Sequence, residues 1–416
     1  RFGPAYARNR WRYSIGGTGA TRALQRLEVD HTLLDLVVIS DTNGMPLGRP
    51  VITIIVDAFS KYLVGFYVSF SGAGLSPVLN AMKVGMLTKE TFTGHTNILS
   101  NPWLGYGIGE MYVVDNGLEF HSKQFVLAAL ELNTDLQYCP VRQPWLKPNV
   151  ERYFLELGYA LPKSGKVHKP VANMLPIDPA STARISFSEL SLGLLKYFVD
   201  VHPFKLNSRT LNRPFDLFQE SFEKLPPPML PTSFESLGLI AAHSKALTVG
   251  NEGIVMSGLR FNSKELQSVR RTIANTYKTL VKFDPEDLGY AYIQHPKSLD
   301  WLFVENTNPS YANGLSMSQH RAIVSHKRKF NIKGNHEQIY LKARAELIEM
   351  WNDLSGSKRL KKSAKDALLL QGLSSTKSLQ ASGIELTKVP NSRLVSPNEV
   401  ETHTKQVPTF ETFIND

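Results

Sequence analysis

Residues 111–140 read MYVVDNGLEFHSKQFVLAALELNTDLQYCP, and residues 141–154 continue as VRQPWLKPNVERYF. The opening MYVV is an apolar run that spells a short buried strand; it ends at Asp115 and turns at Asn116-Gly117. The Asp115 carboxylate therefore stands at the mouth of a strand, not inside it. An amphipathic helix is expected over Ser122 to Leu132, then a second short strand over Leu136 to Cys139 and a loop bounded by prolines. Pro148 suits the first turn of a helix, and that helix carries Glu151, with 35 residues (116–150) lying between the two acids.

Toward the N-terminus, a third carboxylate, Asp30, lies in RLEVDHTLLDLVVIS, whose Val, Leu and Ile content predicts a long strand from Leu27 to Ser40 closed by a turn at Asp41-Thr42-Asn43-Gly44. Strands over Val51 to Val56 and Tyr62 to Phe70 follow, joined by a short turn at Asp57 to Lys61. A helix over Leu75 to Leu87 and a long loop with Pro102 and Trp103 lead into the strand that ends at Asp115. Three antiparallel strands, then helix, strand, helix, strand and helix, predict an α/β core: a mixed five-stranded sheet flanked by helices. Other acids compete with Asp30. Asp35 and His31 fall on the opposite face of a regular strand, whereas Glu28 shares its face and strand parity does not separate the two. Asp57 reads as a turn residue at a strand end. Taken singly, an Asp before Asn-Gly is commonly a turn former and a Glu in a first helical turn commonly serves the helix dipole. The ordered trio inside this pattern is the informative feature, because two aspartates and a glutamate supply the oxygen donors that divalent cations take.

The order Asp30, Asp115, Glu151, with the words LEVDHT, DNGLEF and KPNVER around them, resembles the DDE transposase and retroviral integrase superfamily, in its Mu-type, TnsB-like bacterial branch. The likeness covers roughly residues 20 to 310. It implies a ribonuclease-H-like core, followed by a small β-barrel whose likeness is carried by GIVMSGLRF and VKFDPEDLG. It also implies the transposase subunit of a Tn-seven-like element, which cleaves transposon ends and joins their 3′-hydroxyls to target DNA with two Mg2+ or Mn2+ ions per site. Under the resemblance Asp30 bridges both metals, Asp115 holds one and Glu151 the other. A homo-multimer on paired ends and an AAA+ ATPase partner are implied as well, the latter through the C-terminal tail with Val407, Phe410, Phe413 and Ile414 as apolar anchors. Relatives carry helical end-recognition domains upstream of the core, and residues 1–19 do not resemble them. The chain begins at Arg1 rather than Met, as a fragment of a longer protein would.

The remaining sequence sets the domain plan. Residues 1–19 are basic, aromatic and Gly-rich and read as a linker or DNA-touching arm. The catalytic domain is expected over 20–224, including two helical stretches in 183–223 with a capping box from Ser186 to Glu189. A Pro-rich linker over 225–239 contains LPPPMLP, and short strands at close intervals predict the barrel over 240–312. A basic helical segment follows over 313–355, with Leu341, Ala345, Ile348 and Trp351 on one apolar stripe, and then a flexible tail over 356–416.

The charge is unevenly placed. The formal net charge is +10, and residues 316–365 hold twelve Lys or Arg against four Asp or Glu. A basic segment of this kind either follows a polyphosphate backbone or forms a solvated helix face. Lys327, Arg328 and Lys329 are the candidates there for backbone contact, and Arg142, Gln143, Lys147, Asn149 and Arg152 make a polar, basic collar around Glu151, in which Lys147 and Arg152 are candidates to touch substrate phosphates. One cysteine, Cys139, excludes an internal disulfide framework and a Cys-based zinc site. There is no Walker sequence, nucleophile elbow or HExxH, and no apolar run of membrane-spanning length. The reading places the protein in the bacterial cytoplasm on double-stranded DNA. Two rivals stay open: a metal-dependent nuclease of the same fold without joining activity, and a DNA-binding architectural protein whose acids are inert.

Overall fold

The computed structural model describes residues 19–41, 44–87, 89, 99–139, 147–167, 178–208, 210–226, 242–329, 346 and 372–381. The first sheet is built from β1 (Leu27–Leu33), β4 (Val51–Asp57), β5 (Leu63–Ser69), β6 (Met111–Val114) and β7 (Asp135–Tyr138), with β2 (Val38–Ile39) and β3 (Pro46–Gly48) forming a separate small hairpin. Its order is β5-β4-β1-β6-β7, antiparallel from β5 to β1 and parallel from β1 to β7. A three-stranded meander extended by two parallel strands through helical crossovers is the ribonuclease-H-like arrangement. β4 and β5 are buried along nearly their whole length, which is why VITIIV and LVGFYV read as continuous apolar runs without alternation.

The expected long strand from Leu27 to Ser40 is two pieces. After Leu33 the backbone leaves the sheet: Leu34 N donates to Pro50 O, Val37 N to Gly165 O and Ile39 N to Ile185 O. Apolar residues continue past the break, with Leu34, Leu36, Val37 and Val38 buried beyond it, so periodicity carries no mark of the break.

Helix α1 (Leu75–Met86) lies so close on β5 that a Cβ added at Gly65 would stand 2.6 Å from Ala81 O and 2.8 Å from Gly85 Cα. Helix α2 (Lys123–Glu131), with its Ser122 side chain accepting from Phe125 N, crosses from β6 to β7. Helix α3 (Pro148–Ala160) carries Glu151 in its first turn. Helix α4 (Phe187–Lys196) starts on the expected capping box, in which Ser186 and Glu189 each bond the other's backbone; a π-helical turn over Tyr197–Val201 continues it. Helix α5 (Pro214–Lys224) sets Phe218 against Tyr62 at 4.6 Å between ring centroids.

The second sheet has six strands: β8 (His243–Gly250), β9 (Gly253–Met256), β10 (Leu259–Phe261), β11 (Tyr277–Asp284), β12 (Asp287–Gln294) and β13 (Trp301–Glu305), with helix α6 (Lys264–Ile273) inserted after β10. The order is β10-β9-β8-β11-β12-β13, a curled half-barrel. Its first and last strands meet at one end through a Phe261 to Asn306 bridge and a 2.9 Å bond from Thr307 N to Arg260 O. Helix α7 (Met317–Lys329) packs Met317 and Ile323 into this sheet's core, and buried His320 bonds Tyr311 at 2.9 Å. A last helix, α8 (Ser375–Ala381), returns to the first sheet, where the Ser375 hydroxyl accepts from Val68 N. The two sheets are tied by Lys282 to Glu131 at 2.6 Å and by Gln124 to Ser244 O at 2.8 Å. The arm (1–18), most of the Pro-rich linker, the stripe from Leu341 to Trp351 and the tail beyond Ala381 lie outside the described residues.

Candidate active site

Strand register builds the site. In the parallel pair, Leu27 faces Tyr112 and Glu28 faces Val113. Carrying that register two residues on brings Asp30 level with Asp115, one position beyond the end of β6. Each aspartate ties one oxygen to its own backbone: Asp30 Oδ1 accepts from His31 N at 2.9 Å, and Asp115 Oδ1 accepts from Gly117 N at 2.8 Å. The other oxygen of each is turned to the same place, because Asp30 Oδ2 lies 2.9 Å and Asp115 Oδ2 3.8 Å from Lys147 Nζ. Lys147 is the residue just before Pro148 at the start of α3, and its side chain is only 8% exposed. Glu151 stands one turn along the helix. Partial desolvation pushes its carboxyl above the usual range, the Lys147 charge opposes this, and the Asp30 charge adds to it.

The acid that strand parity could not separate from Asp30 has a different task. Glu28 is fully buried, its Oε2 accepts from Asn149 N and Val150 N at 2.9 Å each, and its Oε1 accepts from the Asn149 side-chain amide at 2.9 Å. It satisfies the open N–H groups of α3, whose own N-cap residue makes no side-chain bond. Burial raises its carboxyl pKa, and these hydrogen bonds and Arg26 pull the other way. Asp57 is likewise a backbone anchor: it accepts from Leu24 N, Ser60 N and the Ser60 hydroxyl, and burial lifts its pKa to about 6. Asp35 pairs with Arg49, and His31 faces Glu119 at 3.4 Å.

Two acids and one lysine thus converge, with the third acid beside them. Among the described residues no three His, Cys, Asp or Glu side chains stand close enough together to hold an ion. The positive charge at the centre of the group is Lys147, which the sequence offered as a phosphate contact. KPN immediately before Glu151 was the visible signal, but its partners come from strands far away in the chain.

Residues 28–163 match the family model for the TnsB C-terminal domain. Over these residues the chain is similar to that domain. The transposase for transposon Tn552 of Staphylococcus aureus is 22% identical over 263 residues, covering 63% of this chain and 50% of that protein. The transposon Tn7 transposition protein TnsB of Escherichia coli is 26% identical over 149 residues, covering 34% of this chain and 21% of that protein. The chain therefore spans half the length of the first of these relatives and about a fifth of the second. Among solved structures, a simian T-cell lymphotropic virus intasome in complex with PP2A regulatory subunit B56 gamma aligns at 13% identity and a TM-score of 0.30, covering 71% of this chain and 82% of that one. The catalytic core domain of BIV integrase aligns at 13% identity and a TM-score of 0.29, covering 48% of this chain and 97% of that one.

The other candidate residues are dispersed. The amide nitrogen of Asn149 is engaged by Glu28. Arg152 is exposed and pairs with Glu156 one turn on, at 3.0 Å. Lys327 and Arg328 lie on α7, Arg328 exposed and Lys327 partly so, and Lys329 ends that helix. Arg142, Gln143, Val407, Phe410, Phe413 and Ile414 lie outside the described residues. No helix among the described residues is long and apolar enough to cross a membrane.

Proposed function

We propose that the chain is a DDE transposase subunit that cleaves transposon ends and joins their 3′-hydroxyls to target DNA by two-metal phosphoryl transfer. One observation carries the reading: Asp30 and Asp115, delivered by adjacent parallel strands, each direct a carboxylate oxygen at one cationic nitrogen at the start of the helix that bears Glu151. The donor set fits Mg2+ or Mn2+, since all three groups are hard oxygen ligands and the place already attracts positive charge. Asp30, Asp115 and Glu151 would hold two such ions, which when bound stabilise the attacking and leaving oxygens of an in-line displacement. The chain's own part is preorganisation. One oxygen of each aspartate is fixed by a backbone N–H, so the carboxylate planes are set before substrate arrives.

In the first step water attacks the phosphodiester at the element's end, and one P–O bond forms as another breaks to free a 3′-hydroxyl. In the second that hydroxyl attacks a target phosphodiester, again exchanging one P–O bond for another. Neither step needs a covalent enzyme intermediate. The basic excess of residues 316–365 supports duplex DNA as the partner. A multimer on paired ends, an AAA+ partner reached through Val407, Phe410, Phe413 and Ile414, and a bacterial cytoplasmic setting belong to the same proposal. The test supplies pre-cleaved ends with free 3′-hydroxyls and a target plasmid in Mg2+. Wild type gives joined product, and Asp115→Asn binds DNA but gives none. Cleavage without joining would favour the nuclease, and joining by Asp115→Asn would overturn the assignment.

A further inference from the structure

Lys147 presents an anomaly that the phosphate-contact reading does not explain. Its ammonium is buried and lies 2.9 Å from Asp30 Oδ2 and 3.8 Å from Asp115 Oδ2, yet it makes no well-directed hydrogen bond among the described residues. An ammonium carries three N–H donors, and a buried one that uses none of them is held by charge alone. The two aspartates, by contrast, are individually well fixed through their other oxygens. The oxygen arrangement is thus not shaped around an ammonium, although an ammonium is what sits there. Lys147 also acts electrostatically on Glu151, so its charge touches all three acids.

We propose that Lys147 is a built-in surrogate cation, which holds Asp30, Asp115 and Glu151 together in the metal-free protein and is displaced from between the aspartates when divalent ions bind. This rests on the two-metal reading of the same site. The backbone of Lys147 is fixed at the first turn of α3, where Pro148 and the Glu28 bonds to Asn149 and Val150 hold the chain, so displacement is a rotation of the side chain and not a movement of the helix. The charge balance follows directly. Three carboxylates without a cation repel one another, Lys147 offsets one charge in the metal-free state, and an entering divalent ion competes with it for the same two oxygens. Lys147 therefore weakens metal binding while protecting the unliganded site. Once displaced from the aspartates, the ammonium is free to pair with a phosphate oxygen of the substrate, which makes metal loading and substrate contact successive uses of one side chain.

The test uses the full chain, with Mn2+ titrated by calorimetry and free Mn2+ counted by electron paramagnetic resonance, beside melting curves in EDTA and in Mg2+. Lys147→Met is expected to bind Mn2+ about ten-fold more tightly than wild type, since a competing charge within 4 Å has been removed. It is also expected to melt lower than wild type in EDTA and to gain more from Mg2+, because ligand binding to the native state raises its stability in proportion to affinity. Lys147→Arg keeps the charge and should bind Mn2+ no more tightly than wild type, which separates charge from packing if the Met variant is poorly folded. Equal or weaker Mn2+ binding by Lys147→Met, with Asp115→Asn binding none, would overturn the surrogate role and leave the metal centre standing. Absence of Mn2+ binding by wild type would overturn both.

Discussion

Removing Glu28 tests how the helix that bears Glu151 is held. In Glu28→Ala the N–H groups of Asn149 and Val150 lose their acceptor at a fully buried position. Each orphaned donor costs about 1 to 3 kcal/mol, and loss of a helix cap alone costs about 0.5 to 2 kcal/mol. These overlap, so the expected destabilisation is about 3 to 5 kcal/mol. Glu28→Gln should be far milder. Its amide oxygen still accepts from the two backbone N–H groups, and the Asn149 side chain reverses its amide to offer an oxygen to the new NH2. A cost of about 1 kcal/mol is expected, the difference between charged and neutral hydrogen bonds. Burial raises the Glu28 pKa above its ordinary 4.5, so the native protein binds this proton more readily than the unfolded chain. Wild-type stability from this group therefore falls as pH rises through the raised pKa, and the Gln variant, which lacks the proton, loses ground to wild type as pH is lowered toward 4.5. Urea unfolding of both variants between pH 7 and pH 4.5, beside Mn2+ binding, reads all of this. A Glu28→Ala protein within about 1 kcal/mol of wild type, or a Gln variant as damaged as the Ala one, would refute the anchoring argument.

Three further outcomes follow from other parts of the molecule. Gly65→Ala should cost about 1 to 3 kcal/mol or more in urea unfolding, because its Cβ meets the Ala81 carbonyl at 2.6 Å and helix α1 must move off the sheet. Burial lowers the His202 pKa to about 4 and raises the Asp57 pKa to about 6, so their effects oppose one another: His202 removes stability as pH falls from 6.5 toward 4, and Asp57 adds it as pH falls from about 6 toward 3.8. His202→Gln should accordingly hold its stability better than wild type on acidification, and a denaturant series across that range checks the sign. Lys282→Met, which leaves Glu131 without its 2.6 Å partner between the two sheets, should separate a single urea transition into two and speed proteolysis between the domains.

How much of this was legible in the sequence depends on where each partner lies in the chain. The turn after Asp115, Pro148 at a helix start and the Ser186 capping box are settled within a few residues, and local pattern found each of them. The break after Leu33 was hidden because apolar residues continue past it: Leu34, Leu36 and Val38 are buried, and the backbone there bonds Gly165 and Ile185 in place of a neighbouring strand of the sheet. The choice between Glu28 and Asp30 could not be made from alternation, since both sit on one face of β1; it takes a helix more than a hundred residues away to give Glu28 its partners. Lys147 was visible as a basic residue beside an acid, but whether a lysine meets phosphate or carboxylate is decided by which strands are neighbours. That information lies in the order β4-β1-β6, and no window of sequence around KPN holds it.

The two acids of β1 together place the first turn of α3, which carries Glu151, next to the strand that bears Asp30. Glu28 grips the first turn of α3 while Asp30, two residues on along the same face, turns an oxygen to Lys147, so the pleat of one strand measures the gap between helix and carboxylate. Two residues of strand span about 7 Å, which is the scale of the proposed site of three carboxylates and two cations. Lys147 lies within this span because it precedes the gripped turn directly. A substitution that loosens the Glu28 bonds therefore shifts Lys147 and Glu151 together, whereas one at Asp115 leaves both in place. Sites held on rigid elements keep their geometry within tight limits, and here a single strand fixes one proposed ligand directly and a second through the helix it anchors. Damage at Glu28 should accordingly weaken the proposed metal centre without touching a proposed ligand, an effect that neither a surface acid nor an inert core residue would produce.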